Sequence, residues 1–487
     1  MSNTYITMDE LFAHLSNIVG EEDISEDPLE KSLYSHDTAP IPSFLSKLFN
    51  MQPAAIVRPE NVQEVAKVVE FAFHRRIPIV PRGAGTWALG GSVPVKGGLV
   101  LDLVKLNRIK KLYSDEPSVE VEAGIVWKRL MDQLSGEGYT VLSYPTSAPS
   151  STVGGWISTG GYGIGSLKFG YFGEQIAELE VVSPQGRIQR LTSGSEEPEM
   201  KWFFGTEGVL GVITSLKFKI RRKPEKTAVC ALYSSEFETV ANLLSSLAKA
   251  EVVPYLLKFM DRELVELKNQ VSRVKIREEN FLLAAYEGPA SEVTRGVNYF
   301  GEEFRKAKAK LAEENVCTHE WEERFNPMRI SRLGPTLLAG EVVVPLNRLS
   351  ATVGGIKLLQ KKYGIKLGVE GYVVSRDSAL VMAVFLTDER KTLKYTTQFA
   401  LIKDITDIGL RQGGSPYGIG LWNSFYAAEK YGTEYFEELK RVKKKLDPRG
   451  IMNPGKFFEA STRFGFPIPP RFYRLSMAVG ALVNRLI

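Results

Sequence analysis

The sequence predicts an α+β protein of more than one domain, on three observations. Its 487 residues exceed what one ordinary hydrophobic core organises, so two or three domains are expected. From Ala54 it reads AAIVRP, NVQEVAKVVEFAFHRR and IPIVPRG, a strand, an amphipathic helix and a second strand, the pattern of a βαβ unit. Further short strands then alternate irregularly with helix and Gly-rich loops, which argues against an all-parallel α/β fold.

Met8–Val19 places apolar side chains at helical spacing, and Glu26–Tyr34 adds a second short helix before the Pro-containing stretch Pro40–Pro53; residues 1–50 form an N-terminal lead-in. In the βαβ unit, Asn61 is the expected N-cap. Strands follow at Gly98–Leu103, Ser118–Glu122, Glu178–Ser183 and Gly211–Arg221, with a helix at Val126–Glu137. Near Pro224 the texture shifts to charged helices and strands, including the Lys/Arg/Glu-rich stretch Gly301–Asn315. A boundary at Arg221–Lys226 therefore separates residues 51–223 from residues 224–413. Residues 414–457 form a further segment, in which Leu439–Lys456 reads as a basic helix stopped at Asp447-Pro448, its lysine triplet being a solvated face. Residues 458–487 are a tail of different character.

Composition narrows the function. With 62 basic and 57 acidic residues, the net charge of +5 is a small excess and gives no reason to expect nucleic acid. Cys230 and Cys317 are the only cysteines, too few for an iron–sulfur cluster, a four-cysteine zinc site or a disulfide framework. The N-terminus lacks a basic region before an apolar run, so the cytoplasm is the default location. No run approaches the eighteen or so apolar residues of a bilayer span, Ala379–Leu386 being one of the longest; attachment to a membrane surface stays open.

Two Gly-rich segments stand out. Pro81, Arg82, Gly83, Ala84, Gly85, Thr86 and Trp87 follow directly on the strand IPIV, and successive small residues there let backbone N–H groups converge on an anion such as a diphosphate. Taken alone, such a loop is more often a tight turn with no ligand. Pro145–Gly165 is dense in glycine, serine and threonine and carries no charge, which lets backbone and hydroxyl groups approach a flat polar ligand. Two other motifs fail. Gly450–Lys456 has P-loop spacing, but Phe457 stands where a metal-binding hydroxyl is required, and no strand–GxGxxG–helix unit with a following acidic residue is present.

The segments IVRPENVQEVAKVVEFAFHRRIPIVPRGAGT, PTSAPSSTVGGWISTGGYGIGSLKFG, FGTEGVLGVITSLKFKI and IMNPGKF, in that order and spacing, resemble the vanillyl-alcohol-oxidase type of FAD-linked oxidoreductases, including the glycolate and D-lactate dehydrogenases. The resemblance runs from about Leu11 to Phe457 and is weaker between Lys226 and Gly413. It implies a two-subdomain FAD-binding domain, an α+β substrate (cap) domain, and a C-terminal segment returning to the flavin. It also implies FAD cradled at its diphosphate by Pro81–Trp87. The isoalloxazine and ribityl chain would be lined by Pro145, Thr146, Ser147, Ser151, Thr152, Gly154, Gly155, Ser158, Thr159, Gly161, Tyr162 and Gly163. Gly208, Val212 and Ile213 would run beside the adenine end, and Asn453 and Lys456 would approach the ring. Some relatives attach FAD through a histidine of the first loop. Ala84, Gly85 and Thr86 stand there in this chain, so the FAD is expected to be non-covalent.

On the substrate side, the 2-hydroxy-acid branch of the family has a Trp-x-x-Arg motif that holds the substrate carboxylate, and Trp321–Arg324 matches it; a surface arginine is the alternative for Arg324. That branch also binds a divalent metal through histidines in two motifs. Here those regions read Leu367–Tyr372 and Gly414–Gly420 without histidine, so no metal is expected. Tyr417 takes the place of a family histidine, either as a proton relay or as flavin-ring packing. The expected reaction is oxidation of a small 2-hydroxy acid such as lactate or glycolate by hydride transfer to flavin. The alternatives are dehydrogenation of a non-carboxylate alcohol, sugar or glycerol compound, and an electron-transfer subunit of a larger complex. Electrons must leave to a quinone or to a partner protein, iron–sulfur or electron-transfer flavoprotein. The tail Arg471–Ile487, with Phe472, Leu475, Val479, Leu482 and Leu486 at helical spacing beside Arg471, Arg474 and Arg485, is expected to dock on such a partner or on a membrane surface, its own enzyme surface being the alternative.

Overall fold

The structure is a computed structural model that describes residues 7–38, 49, 51–307, 309–462, 464 and 466–468. The tail expected to dock at Arg471–Ile487 lies outside the described residues, as does most of Pro40–Pro53.

The first helix, Met8–Val19, opens with a capping box in which the Thr7 hydroxyl accepts from the Glu10 N–H and the Glu10 carboxylate accepts from the Thr7 N–H, and it buries Leu11, Leu15 and Val19. The second is shorter than expected. It starts at Pro28, where the Asp27 side chain caps it by accepting from the Glu30 N–H at 2.9 Å, and just before it Ile24–Ser25 forms a strand (β1) pairing antiparallel with Ala55–Val57 (β2). In the βαβ unit, Asn61 caps Val62–Arg75 through the Glu64 N–H at 3.0 Å. The strands of that unit, β2 and Ile79–Arg82 (β3), flank Leu99–Asp102 (β4) in a sheet of order β1-β2-β4-β3 whose last three strands are parallel.

The second sheet is antiparallel. Ile109–Tyr113 (β5), Ser118–Glu122 (β6), Tyr139–Val141 (β7), Ile176–Val182 (β8), Ile188–Thr192 (β9) and Val212–Arg222 (β10) run β5-β6-β10-β8-β9, with β7 also on β10. Between β7 and β8, the Gly-rich Pro145–Gly165 is not wholly loop. Thr152 caps a short helix, Val153–Thr159, by accepting from the Gly155 N–H at 3.1 Å. Its glycines permit contact. A Cβ at Gly154 would meet that of Ala123 at 2.5 Å, so this helix lies directly against the end of β6.

Residues 223–225 connect β10 to the third sheet, which comprises Lys226–Ser234 (β11), Leu256–Met260 (β12), Asn280–Gly288 (β13), Lys310–Leu311 (β14), Thr336–Pro345 (β15), Gly368–Ser375 (β16), Ser378–Thr387 (β17) and Ser415–Pro416 (β18). Its order is β14-β11-β13-β12-β16-β17-β15-β18, antiparallel throughout. The apolar run Ala379–Leu386 is β17, a central strand buried on both faces. One face of the sheet is covered by the helices Leu349–Tyr363 and Thr392–Arg411 and buries Val342, Val344, Val381, Ala383 and Phe385. Alternation along each strand sends Leu337, Ala339, Glu341, Tyr372, Val374, Leu380 and Met382 to the other face.

The C-terminal segment ties the sheets together. β18 pairs with β15, and residues 451–453 then lie beside β3, the Ile79 N–H donating to the Ile451 carbonyl at 2.8 Å and the Asn453 N–H to that of Ile79 at 2.7 Å. The basic helix begins before the expected Leu439, at Thr433, and ends at Leu446. Its lysine triplet is not all solvated. Lys443 turns inward and donates to the Asp447 carboxylate at 2.6 Å and to the Val209 and Met452 carbonyls at 2.7 and 2.8 Å, joining helix, return segment and second sheet.

Candidate active site

Between the two Gly-rich segments and the open face of the third sheet lies a cavity of about 890 Å³. Its wall includes all of Pro81–Trp87, together with Pro145, Thr146, Ser147, Ser151, Thr152, Gly154, Gly155, Ser158, Thr159, Tyr162, Gly163, Gly208, Ile213 and Tyr417. Gly161, Val212, Arg324, Asn453 and Lys456 are not on it.

The first loop has the form of an anion cradle. Gly85 adopts φ +64°, and among the described residues the N–H groups of Ala84, Gly85 and Thr86 make no hydrogen bond. The half-buried Arg82 guanidinium lies beside them, its Nη1 donating to the His36 carbonyl at 2.9 Å and its plane 4.8 Å from the centre of the Tyr34 ring. Unpaired N–H donors next to a cation suit a diphosphate. Along the wall, five buried polar atoms have no partner among the described residues: Trp87 Nε1, Ser92 Oγ, Glu207 Oε2, Tyr372 Oη and Trp422 Nε1. Each such burial costs about 1–3 kcal/mol unless something fills the cavity and satisfies it. These residues therefore fit a dinucleotide with a polar ring system, as FAD has.

Asn453 and Lys456, expected to approach the ring, stand behind this wall. Asn453 Nδ2 donates to the Gly91 and Glu207 carbonyls at 3.0 and 2.6 Å, and Lys456 Nζ donates to the Gly91 carbonyl at 2.9 Å and to that of Val93. They hold in place the strip from which Glu207 and Ser92 face the cavity. Glu207 itself, at φ +53°, accepts from the Gly420 N–H at 2.8 Å. Burial pushes the Glu207 carboxyl up and the Lys456 ammonium down, while each opposes the shift of the other.

Tyr417 lines the cavity but its hydroxyl is fully engaged by backbone. It donates to the Tyr162 carbonyl and accepts from the Tyr162 N–H, both at 3.0 Å, and its ring packs 5.6 Å from that of Trp87. Burial holds it protonated, so this geometry suits anchoring of the Gly-rich segment better than proton relay. Arg324 is committed as well. Nε donates to Tyr144 Oη at 3.0 Å and Nη1 to the Trp321 carbonyl at 2.7 Å, with the guanidinium between the Trp321 and Phe325 rings at 4.2 and 4.3 Å.

The cavity wall instead carries Arg329, 2.8 Å from Glu323, and the exposed Arg332, which has no carboxylate partner among the described residues. It also carries Glu341 and Tyr372, whose buried hydroxyl has no partner among the described residues. None of these four was read from sequence. A signal existed for Glu341, a lone acidic residue in the apolar run GEVVVP. Arg329 and Arg332 sit in a charged stretch that looks no different from surface. Among the described residues, no cluster of three or more His, Cys, Asp or Glu could hold a metal ion, and no helix is long and apolar enough to cross a membrane.

The cavity lining contains no histidine or cysteine to which FAD could be tethered. Acid precipitation is therefore expected to leave intact FAD in the supernatant; yellow colour retained in the pellet would contradict non-covalent binding.

Comparison with known proteins supports FAD as the cofactor. Residues 53–192 match the FAD binding domain family, and residues 223–457 match the C-terminal domain of FAD linked oxidases. Over 467 residues the chain is 26% identical to glycolate oxidase subunit GlcD of Bacillus subtilis (strain 168), covering 92% of this chain and 97% of that one. It is 24% identical to the mitochondrial D-lactate dehydrogenase [cytochrome] of Arabidopsis thaliana, covering 92% and 80%. The solved structure of p-cresol methylhydroxylase with substrate bound superposes with a TM-score of 0.79 at 17% identity, covering 92% of this chain and 96% of that one. Alkyldihydroxyacetonephosphate synthase superposes with a TM-score of 0.74 at 20% identity, covering 92% and 85%. The two family matches together take in most of the chain, which belongs to the FAD-linked oxidases and is an FAD-dependent oxidoreductase.

Proposed function

We propose that the chain is a dehydrogenase of 2-hydroxy acids that passes its electrons to an external acceptor. The observation that carries this reading is the pair Arg329 and Arg332 on the wall of the cavity that also presents Glu341 and Tyr372, because a carboxylate-bearing alcohol needs a cation for one end and polar groups for the other. The relatives named for glycolate oxidation and D-lactate dehydrogenation support the same class. Arg329 and Arg332, not the committed Arg324, hold the carboxylate. Leu337, Leu380 and Met382 line the same cavity on the open face of the sheet and favour an acid with an apolar side chain over glycolate. When bound, FAD supplies the acceptor for the hydride. The protein positions the hydroxyl-bearing carbon, excludes water with the apolar wall, and donates the Tyr372 hydroxyl to a substrate oxygen. With only Cys230 and Cys317 in the chain, the electrons go on to a separate molecule, a partner protein or a quinone.

The apolar wall gives one specific reason for a second reading, a dehydrogenase of a non-carboxylate alcohol with an apolar body. Anaerobic mixing of the yellow protein with a panel of hydroxy acids and matched alcohols separates the two. The expected result is bleaching by apolar 2-hydroxy acids, with Arg329→Ala and Arg332→Ala each weakening their binding by about 1.5–3 kcal/mol, roughly 10- to 150-fold. Bleaching by the matched alcohols alone, with no effect of either substitution, would establish the second reading.

A further inference from the structure

We propose that Glu341 is the group that takes the proton from the substrate hydroxyl. The inference rests on the reading of the chain as an alcohol dehydrogenase and adds the residue on which its chemistry depends.

The titratable side chains on the cavity wall are few. Arg82, Arg329 and Arg332 are cations, while burial keeps Tyr162, Tyr372 and Tyr417 protonated. Of the three carboxylates, Glu207 lies in the strip held by Asn453 and Lys456 and accepts from the Gly420 N–H, and Glu389 accepts from the Thr336 hydroxyl. Glu341 has neither an ion pair nor a side-chain hydrogen bond among the described residues. Its oxygens are left for whatever occupies the cavity.

Strand register places this carboxylate at the seam between the sheet floor and the flavin-binding segments. Glu341 pairs with Met382 on one side of β17, and Glu370 pairs with the same Met382 on the other, so the three form a row across β15, β17 and β16. The Tyr417 N–H donates to the Glu341 carbonyl at 3.2 Å, and the Tyr417 side chain reaches Tyr162 of the Gly-rich segment. Glu341 is thereby fixed beside both the sheet and the expected flavin position.

The groups facing it set its proton affinity. Glu370 on β16 lies 3.5 Å from Lys258 of β12, and Lys258 is shared with Glu320 at 3.6 Å; burial keeps Tyr372 and Tyr417 protonated. Burial raises the Glu341 carboxyl most and the Glu370 charge raises it further, to about 7. A base of that affinity is ionised in a useful fraction at neutral pH and still binds a proton well. In the step, the substrate O–H bond breaks and its proton passes to the Glu341 carboxylate. A C=O bond forms as the hydrogen on that carbon leaves with its electron pair, the substrate being oxidised to the keto acid and the flavin reduced by two electrons. Tyr372 donates to the substrate oxygen and stays protonated.

Flavin reduction by a 2-hydroxy acid in wild type, Glu341→Gln and Glu341→Asp tests the assignment, using FAD-loaded protein, anaerobic stopped flow and a range of pH. The Gln variant should keep its flavin and its affinity for the keto-acid product while the reduction rate falls by roughly 10²–10⁴-fold, with partial recovery in the Asp variant. In wild type the rate should rise with pH through an inflection near 7, the value for this carboxyl, and that inflection should be missing in the Gln variant. A second readout needs no turnover: infrared difference spectra between acidic and alkaline pH should show a protonated carboxyl that ionises near neutrality in wild type and is missing in Glu341→Gln. A Gln variant as fast as wild type with the same inflection, or an infrared band unchanged by the substitution, overturns the role of Glu341 alone. A wild-type flavin that no hydroxy acid or alcohol bleaches overturns the dehydrogenase reading, and the role of Glu341 falls with it.

Discussion

Replacing Gly85 by valine is expected to give a folded protein that purifies colourless. Gly85 sits at φ +64°, in the left-handed region that a β-branched residue avoids, at a penalty of about 1–3 kcal/mol. A Cβ there would also lie 2.2 Å from Arg82 Nη2, and the guanidinium would have to leave its place between Tyr34 and the loop. Both effects fall on the groups assigned to the diphosphate: the N–H donors of Ala84, Gly85 and Thr86 turn away, and the cation beside them moves. The core is little affected, because none of Pro81–Thr86 belongs to a hydrophobic cluster and only Trp87 at the loop's end packs against one. The check is the ratio of flavin to protein absorbance together with far-ultraviolet circular dichroism. A yellow variant with the wild-type ratio would remove the loop from the flavin site.

The largest stability effect is expected at Glu320, whose side chain is fully buried between Lys268 and Lys258. Replacing it by alanine leaves two ammonium groups in the interior with one fewer counter-charge, a loss of about 3–5 kcal/mol for breaking a buried pair from one side. Restoring charge balance should recover part of it, so Glu320→Ala combined with Lys268→Met should unfold at a higher urea concentration than Glu320→Ala alone. The midpoints of the three proteins check this directly. An unchanged midpoint for Glu320→Ala would mean that the lysines reach water without their partner.

The flavin half of the fold was readable because its signals are local. The βαβ unit announces itself by a change of period from two to 3.6 and back, and Asn61 caps its helix as a short-range rule requires. Pro81–Trp87 and most of the Pro145–Gly163 set line one cavity because small residues are what close backbone approach demands, and that demand is written in the composition. The third sheet was not readable. Apart from the hairpin β16-β17, its order β12-β16-β17-β15 joins strands far apart in sequence, and only that order brings Glu370, Met382 and Glu341 into one row.

The mismatches at the site have the same origin. Trp321–Arg324 has the spacing of a carboxylate-binding motif, yet Arg324 is drawn to Tyr144 and two aromatic faces, leaving Arg329 and Arg332 on the wall. Asn453 and Lys456 lie at the expected end of the chain but one layer behind the cavity, since the carbonyls of Gly91, Val93 and Glu207 compete for their donors. Lys443, within a lysine triplet, faces inward because Asp447 and two carbonyls await it there. Which of several like charges turns inward depends on partners that a local reading of sequence does not show.

The central claim, that this FAD-dependent enzyme removes hydrogen from the hydroxyl-bearing carbon of a 2-hydroxy acid, is tested most directly by anaerobic flavin reduction. The experiment uses an apolar 2-hydroxy acid and the same acid carrying deuterium on that carbon. The predicted result is bleaching of the flavin to its two-electron-reduced form by both, more slowly with the deuterated acid, and one equivalent of keto acid per flavin. A flavin that stays oxidised with every 2-hydroxy acid while a non-carboxylate alcohol or a reduced protein partner bleaches it would contradict the account.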